Sequence, residues 1–214
     1  MSIASIASVT AFIDWNSQIH ASKPPRHADE RQIAAHTLDY VARTIGRVLN
    51  SQSSATRYDV TLRLYHGWHK GFEVTDRKKA IINSTSDYEL SYMSRKPNVL
   101  IRPIVQFGDA LIFARNIRLH QRLSCHLPNT LRRASRGDSD FEEKMVDTAI
   151  ASDVVYEAFS DRSRWLIVFG EDDDLVPPIF VAESIRTNSD GRIILVRTRG
   201  GTPFLNLDNL WISP

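Results

Sequence analysis

Five consecutive apolar residues, Trp165-Leu166-Ile167-Val168-Phe169, stand between Arg164 and Gly170 and run straight into Glu171-Asp172-Asp173-Asp174. The run does not alternate, so no polar face is left for water. A strand of this kind must be covered on both sides, as in a parallel sheet between two helical layers. A second run, Ala7 to Ile13, is β-branched and apolar and stops abruptly at Asp14. After a Lys23-Pro24-Pro25 break, Ile33, Leu38, Val41, Ile45 and Val48-Leu49 recur at helical spacing, with Asp29 and Glu30 at the start. This predicts a helix of about five turns. A polar linker over 51–56 then leads to Val60-Thr61-Leu62-Arg63-Leu64-Tyr65, which reads as a strand. Strand, helix, strand opens a βαβ unit, so the expected class is α/β with a mainly parallel sheet and helices on both faces.

Further along, 76–98 is polar and mixed, while 99–105 and 110–114 read as extended, with Pro103 arguing against a central place in a sheet. Six arginines between Arg115 and Arg136 mark a surface excursion. Helical spacing returns over Phe141 to Phe159, where Val146, Ile150, Val154 and Ala158 form one stripe, with the helix starting between 141 and 147. Leu175 to Ile185 reads as a helix carrying Pro177 and Pro178 in its first turn, and 192–196 as a last strand. The 214 residues fit a single domain over 1–214, with a basic insertion or excursion at about 76–140.

Composition excludes several classes. A net charge of +2 is not that of a polycation, and 42% hydrophobic residues is ordinary for a globular chain. A lone cysteine, Cys125, excludes an intrachain disulfide framework and a thiolate zinc cluster. The first fifteen residues have no Lys or Arg ahead of their apolar stretch, and no run is long enough to cross a bilayer, so no membrane association and a cytoplasmic location are expected.

The chemistry lies at the strand ends. In an open parallel sheet, ligands bind beyond the carboxyl ends of the strands, which brings Asp14 and the acids after Phe169 toward one crevice. Asp147, near the start of the helix before the Trp165 strand, can approach the same edge. Converging carboxylates repel unless a cation joins them, and oxygen ligands without clustered His or Cys favour Mg2+ or Mn2+ over zinc.

The motif order is Asp14-Trp15-Asn16-Ser17 after the first strand, then Glu143-Lys144-Met145-Val146-Asp147, then Leu166-Ile167-Val168-Phe169-Gly170-Glu171-Asp172-Asp173-Asp174. It resembles the NYN family of PIN-like ribonucleases, nearest to its LabA-like (DUF88) branch. The resemblance covers the outer thirds of the chain and implies a PIN-like three-layer sandwich. It also implies metal-binding carboxylates at Asp14, Asp147, Asp172 and Asp174, a basic residue at Lys144 and an amide at Asn16. The implied activity is Mg2+- or Mn2+-dependent hydrolysis of RNA, commonly single-stranded. PIN-like proteins often pair, so a homodimer is open. The chain departs from the family in Gly170-Glu171, where Ser-Gly is usual, in Met145, where Gly is usual, and in Asn16, one residue earlier than the common spacing. The loss of Ser and Gly from the last motif favours an alternative, a catalytically weak NYN module that binds RNA or a protein partner. A phosphatase with Asp14 as nucleophile ranks last, because position 16 is asparagine rather than the second aspartate such chemistry uses.

Other residues have plainer readings. Asp153 lies about 120° around the helix from Asp147, which makes it a supporting or surface residue. Lys144 either pairs with Glu143 or Asp140 or faces the carboxylates and phosphate. Tyr65, His66, Trp68 and His69 are core or rim residues before they are base-stacking ones. Gly137-Asp138-Ser139-Asp140-Phe141 mimics the family's last motif but follows no buried strand, and reads as a helix cap. The arginines of 115–136, with Arg186, Arg192, Arg197 and Arg199, would suit phosphate if gathered on one face.

Overall fold

A computed structural model describes residues 6–87, 89–113, 130–133, 141–186, 189–198 and 211–212. Its principal sheet is parallel throughout. Strand β1 (Ile6–Asp14) pairs with β2 (Arg57–Tyr65) on one side and β9 (Trp165–Phe169) on the other. Outside β2 lie β5 (Val99–Ile101) and β6 (Gln106–Phe107), and outside β9 lie β10 (Ile193–Val196) and β11 (Trp211–Ile212). The order β5-β2-β1-β9-β10-β11 is that of a doubly wound sheet, and the chain reverses its direction of travel between β1 and β9.

The period-2 geometry of the strands divides the core in two. Ala11, Ile13, Ile167, Phe169, Ile194 and Val196 face a layer built around α2 (Glu30–Gln52), with α1 (Trp15–Ser22), α3 (Asp76–Asp87) and α4 (Leu90–Met93) beside it. Phe12, Leu166, Val168, Ile193 and Leu195 face the opposite layer of α5 (Val146–Ser160) and α6 (Val176–Ile185). The protein is a three-layer α/β sandwich. Helix α2 begins in a capping box, with the Asp29 carboxylate accepting Gln32 N–H and the Gln32 side chain accepting Asp29 N–H. A one-turn 3-10 helix, Asp173–Leu175, leads into α6, whose Pro177 and Pro178 occupy its first turn as expected.

Within the expected basic insertion or excursion at about 76–140, α3 and α4 pack on α2, and β5 and β6 extend the sheet beside β2. Most of Arg115–Arg136, with Cys125 and the Gly137–Asp140 cap, lies outside the described residues. The helix expected to start between 141 and 147 does so, at Val146; before it, β8 (Phe141–Glu143) pairs antiparallel with β7 (Leu131–Arg133). A small hairpin of β3 (His69–Lys70) and β4 (Glu73–Val74) was not anticipated. Among the described residues, no helix is long and apolar enough to cross a membrane.

Candidate acidic site at the sheet switch point

Register brings the first and last acidic elements together. Ile13 pairs with Phe169, so Asp14 and Gly170 leave adjacent strands at the same edge. A Cβ on Gly170 would lie 4.0 Å from the Asp14 Cβ and only 2.3 Å from Leu175 Cδ1. Glycine here lets Leu175 fold back into the core and draws the acidic turn against Asp14. Any side chain at position 170 would meet Leu175.

Asp14 caps α1. Its Oδ1 accepts Asn16 N–H at 3.1 Å and Ser17 N–H at 3.3 Å, while Ser17 Oγ donates to the Asp14 carbonyl at 3.0 Å. Both carboxylate bonds fall on one oxygen, which leaves Oδ2 for the crevice. Burial outweighs these bonds and, with a smaller push from Asp147, raises the Asp14 pKa to about 6. Asp147 stands in the first turn of α5, and its pKa is raised by burial and then by the charges of Asp172 and Asp174. The three acidic elements therefore feel one another across a crevice of about 1110 Å³, lined by Asp14, Asn16, Lys144, Asp147 and Asp172 among others.

The turn after β9 alternates its partners. Glu171 accepts Thr198 N–H at 2.6 Å and Thr198 Oγ1–H at 2.8 Å, and Arg197 bonds Asp173 at 2.8 Å. These bonds moor the turn to the end of β10. Asp172, whose carboxylate accepts Asp174 N–H at 2.9 Å, is left on the crevice, with Asp174 close enough to act on Asp147. Asp174 itself does not line the crevice. Lys144 does, and pairs with Glu142 at 2.8 Å rather than with Glu143; Asp140 lies outside the described residues.

Met145, between Lys144 and α5, adopts φ 69, the left-handed region that favours glycine. The backbone here thus has a conformation that a glycine would serve without strain.

Sequence reasoning missed Glu143, His20, Lys23, Glu171 and Thr198, all of which line the crevice. Glu143 accepts Gly67 N–H at 2.7 Å and abuts His66 Nδ1. Burial, then the charge of Arg77, lowers the His66 pKa to about 3, so the ring is neutral. Arg77 bonds its Nε2 at 3.0 Å, which assigns the proton to Nδ1, facing Glu143. No local pattern announces such a link, since it joins residues far apart in the chain.

Tyr65, His66, Trp68 and His69 are all buried and so unavailable for base stacking. Asp153 is not at the surface: it is 0% exposed and ion-paired to Arg63 at 2.9 Å, and accepts Tyr65 Oη–H at 2.7 Å and Ile112 N–H at 2.8 Å. The later arginines do not form a phosphate-binding face. Arg186 is buried on the Arg162 carbonyl, Arg197 is bound to Asp173, and Arg192 lies over Trp165, while Arg199 is outside the described residues.

The donor set is one of hard carboxylate oxygens, suited in kind to Mg2+ or Mn2+. Among the described residues, however, no three His, Cys, Asp or Glu form a ready-made metal-holding group. Comparisons with family models, with curated proteins and with solved structures found no match to this chain.

Proposed function

We propose that this protein is a metal-dependent ribonuclease of the PIN-like type. The observation that carries the reading is the gathering of three acidic elements, distant in sequence, on one crevice at the switch point of a doubly wound sheet. Mutually repelling, partly buried carboxylates form an anionic hollow that a divalent cation would neutralise. Asp14, Asp147 and Asp172 would hold Mg2+ or Mn2+, with Asp174 beside them. The ion would supply an activated water and stabilisation of the leaving oxygen of a phosphodiester. Asn16 and Lys144 flank the hollow and orient the phosphate, one as an amide donor and the other as a charge. Bonds from Asn16 and Ser17 N–H fix the Asp14 carboxylate, so its free oxygen is preset. The substrate class, single-stranded RNA, rests on the NYN-like motifs.

The alternative, a catalytically weak module binding RNA or a protein partner, is favoured by the absence of a ready-made metal-holding group among the described residues. Incubating a mixed-sequence single-stranded RNA with Mn2+ separates the two. Cleavage that falls at least about a hundredfold in Asp147→Asn and Asp172→Asn supports the nuclease. RNA binding without cleavage in the wild type supports the module.

A further inference from the structure

The outer face of α2 presents Tyr40, Arg43 and Arg47, spaced by three and four residues and so aligned on one stripe. Facing them, the segment after α4 contributes Ser94, Arg95 and Lys96, and these six residues line a groove of about 420 Å³. The groove is preset by the fold. Buried Ser94 accepts Lys96 N–H at 3.3 Å, and its Oγ lies 2.8 Å from the Ser91 carbonyl and 3.1 Å from that of Val99. A Cβ on Gly46 would come within 2.3 Å of the Ser94 carbonyl oxygen, so a glycine in α2 lets this loop lie directly on the helix. Arg95 is held at φ 53.

Charge in the groove is one-sided, with four cations and no lining carboxylate. Asp39 pairs with Arg43 at 2.5 Å. Arg47 bonds only the neutral Thr44 hydroxyl, at 3.2 Å, and neither Arg95 nor Lys96 forms an ion pair with a described residue. Three like charges on one rigid groove favour a polyanion with regularly spaced negative groups. The groove also approaches the acidic crevice, because Tyr40, which lines it, lies within the electrostatic reach of Glu171 on the crevice wall.

We propose that this groove binds the phosphodiester backbone of single-stranded RNA, gripping nucleotides away from the bond presented to the acidic crevice. The proposal rests on the ribonuclease reading for its ligand. An anionic crevice repels a polyanion, and a separate cationic grip supplies the attraction that the crevice lacks.

The test is fluorescence anisotropy of a labelled mixed-sequence single-stranded RNA in EDTA, over a salt series. It compares wild type with Arg47→Ala/Arg95→Ala/Lys96→Ala and with Lys79→Ala, which removes an exposed cation outside the groove and the crevice. The triple variant is expected to bind at least about tenfold more weakly, with a log–log salt slope shallower by about 2, while Lys79→Ala keeps wild-type affinity. Should the triple variant fail to fold by circular dichroism, Arg47→Glu alone is read in the same way. An unchanged affinity and slope would overturn the proposal, as would displacement of RNA by polyglutamate as readily as by unlabelled RNA. Cleavage with Mn2+ is scored separately. Groove-dependent binding without cleavage supports the groove and removes the nuclease reading, whereas cleavage with groove-independent binding does the reverse.

Discussion

Asp14 serves two masters: it caps α1 with one carboxylate oxygen and faces the acidic crevice, where burial lifts its pKa to about 6. The folded state therefore binds a proton more tightly than an unfolded chain, whose aspartate titrates near 3.8. The stability that this proton contributes is fully present below about 3.8 and is lost as pH rises through about 6. In metal-free buffer, Asp14→Asn should preserve the cap and remove that loss. Above pH 7 it is expected to be more stable than wild type by about 1–3 kcal/mol in urea denaturation, with the difference closing toward pH 4. Equal stability across that range would mean that the carboxylate is not confined. Met145 supplies a second residue-scale test. At φ 69 a side chain costs about 1 kcal/mol, so Met145→Gly should raise the melting temperature by about 2–4 °C. Asp14 was legible as a candidate because an apolar run ended on it. The strain at Met145 shows in the sequence only beside the NYN motif, which has glycine there.

Among the elements, those covered on both faces could be read directly. Strands β1, β9 and β10 need unbroken apolar runs, and the long stripe of α2 is the signature of a helix lying on a sheet. Helix α3 escaped notice because, among its described side chains, it buries Ala80, Ile81 and Ser84 and leaves Ile82 exposed, so no long apolar stripe forms. β7 and β8 are three-residue strands, too short to establish a period. Asp153 was displaced from the site by helical geometry, and that geometry aims it at the sheet instead. There it joins α5 to β2 through Arg63 and Tyr65, and to the 110–112 segment through Ile112 N–H. Asp153→Ala would leave a guanidinium buried without its counter-charge, and a loss of about 3–5 kcal/mol is expected in chemical denaturation. Loss below about 1 kcal/mol would show that water reaches Arg63. Gly170→Ala tests the acidic turn in turn. The added methyl meets Leu175, so a cost of about 1–3 kcal/mol and weaker Mn2+ binding are expected together, by denaturation and by calorimetry.

For the whole molecule, the doubly wound order places the reversal between β1 and β9, and thereby decides where a ligand meets the sheet. Two acidic strand ends were visible in the sequence. That they are neighbours is a consequence of strand order, which no single segment encodes. The cations divide likewise: of the arginines expected to meet phosphate, Arg186, Arg197 and Arg192 are spent on the carbonyl of Arg162, on Asp173 and on Trp165, while four described cations line the groove outside α2. Whether Asp14, Asp147 and Asp172 share a divalent cation can be seen by anomalous diffraction at the manganese edge from crystals soaked in Mn2+. An anomalous peak about 2.1 Å from oxygens of all three carboxylates is expected; no peak in the crevice, or one bound to a single carboxylate, would rule the shared ion out.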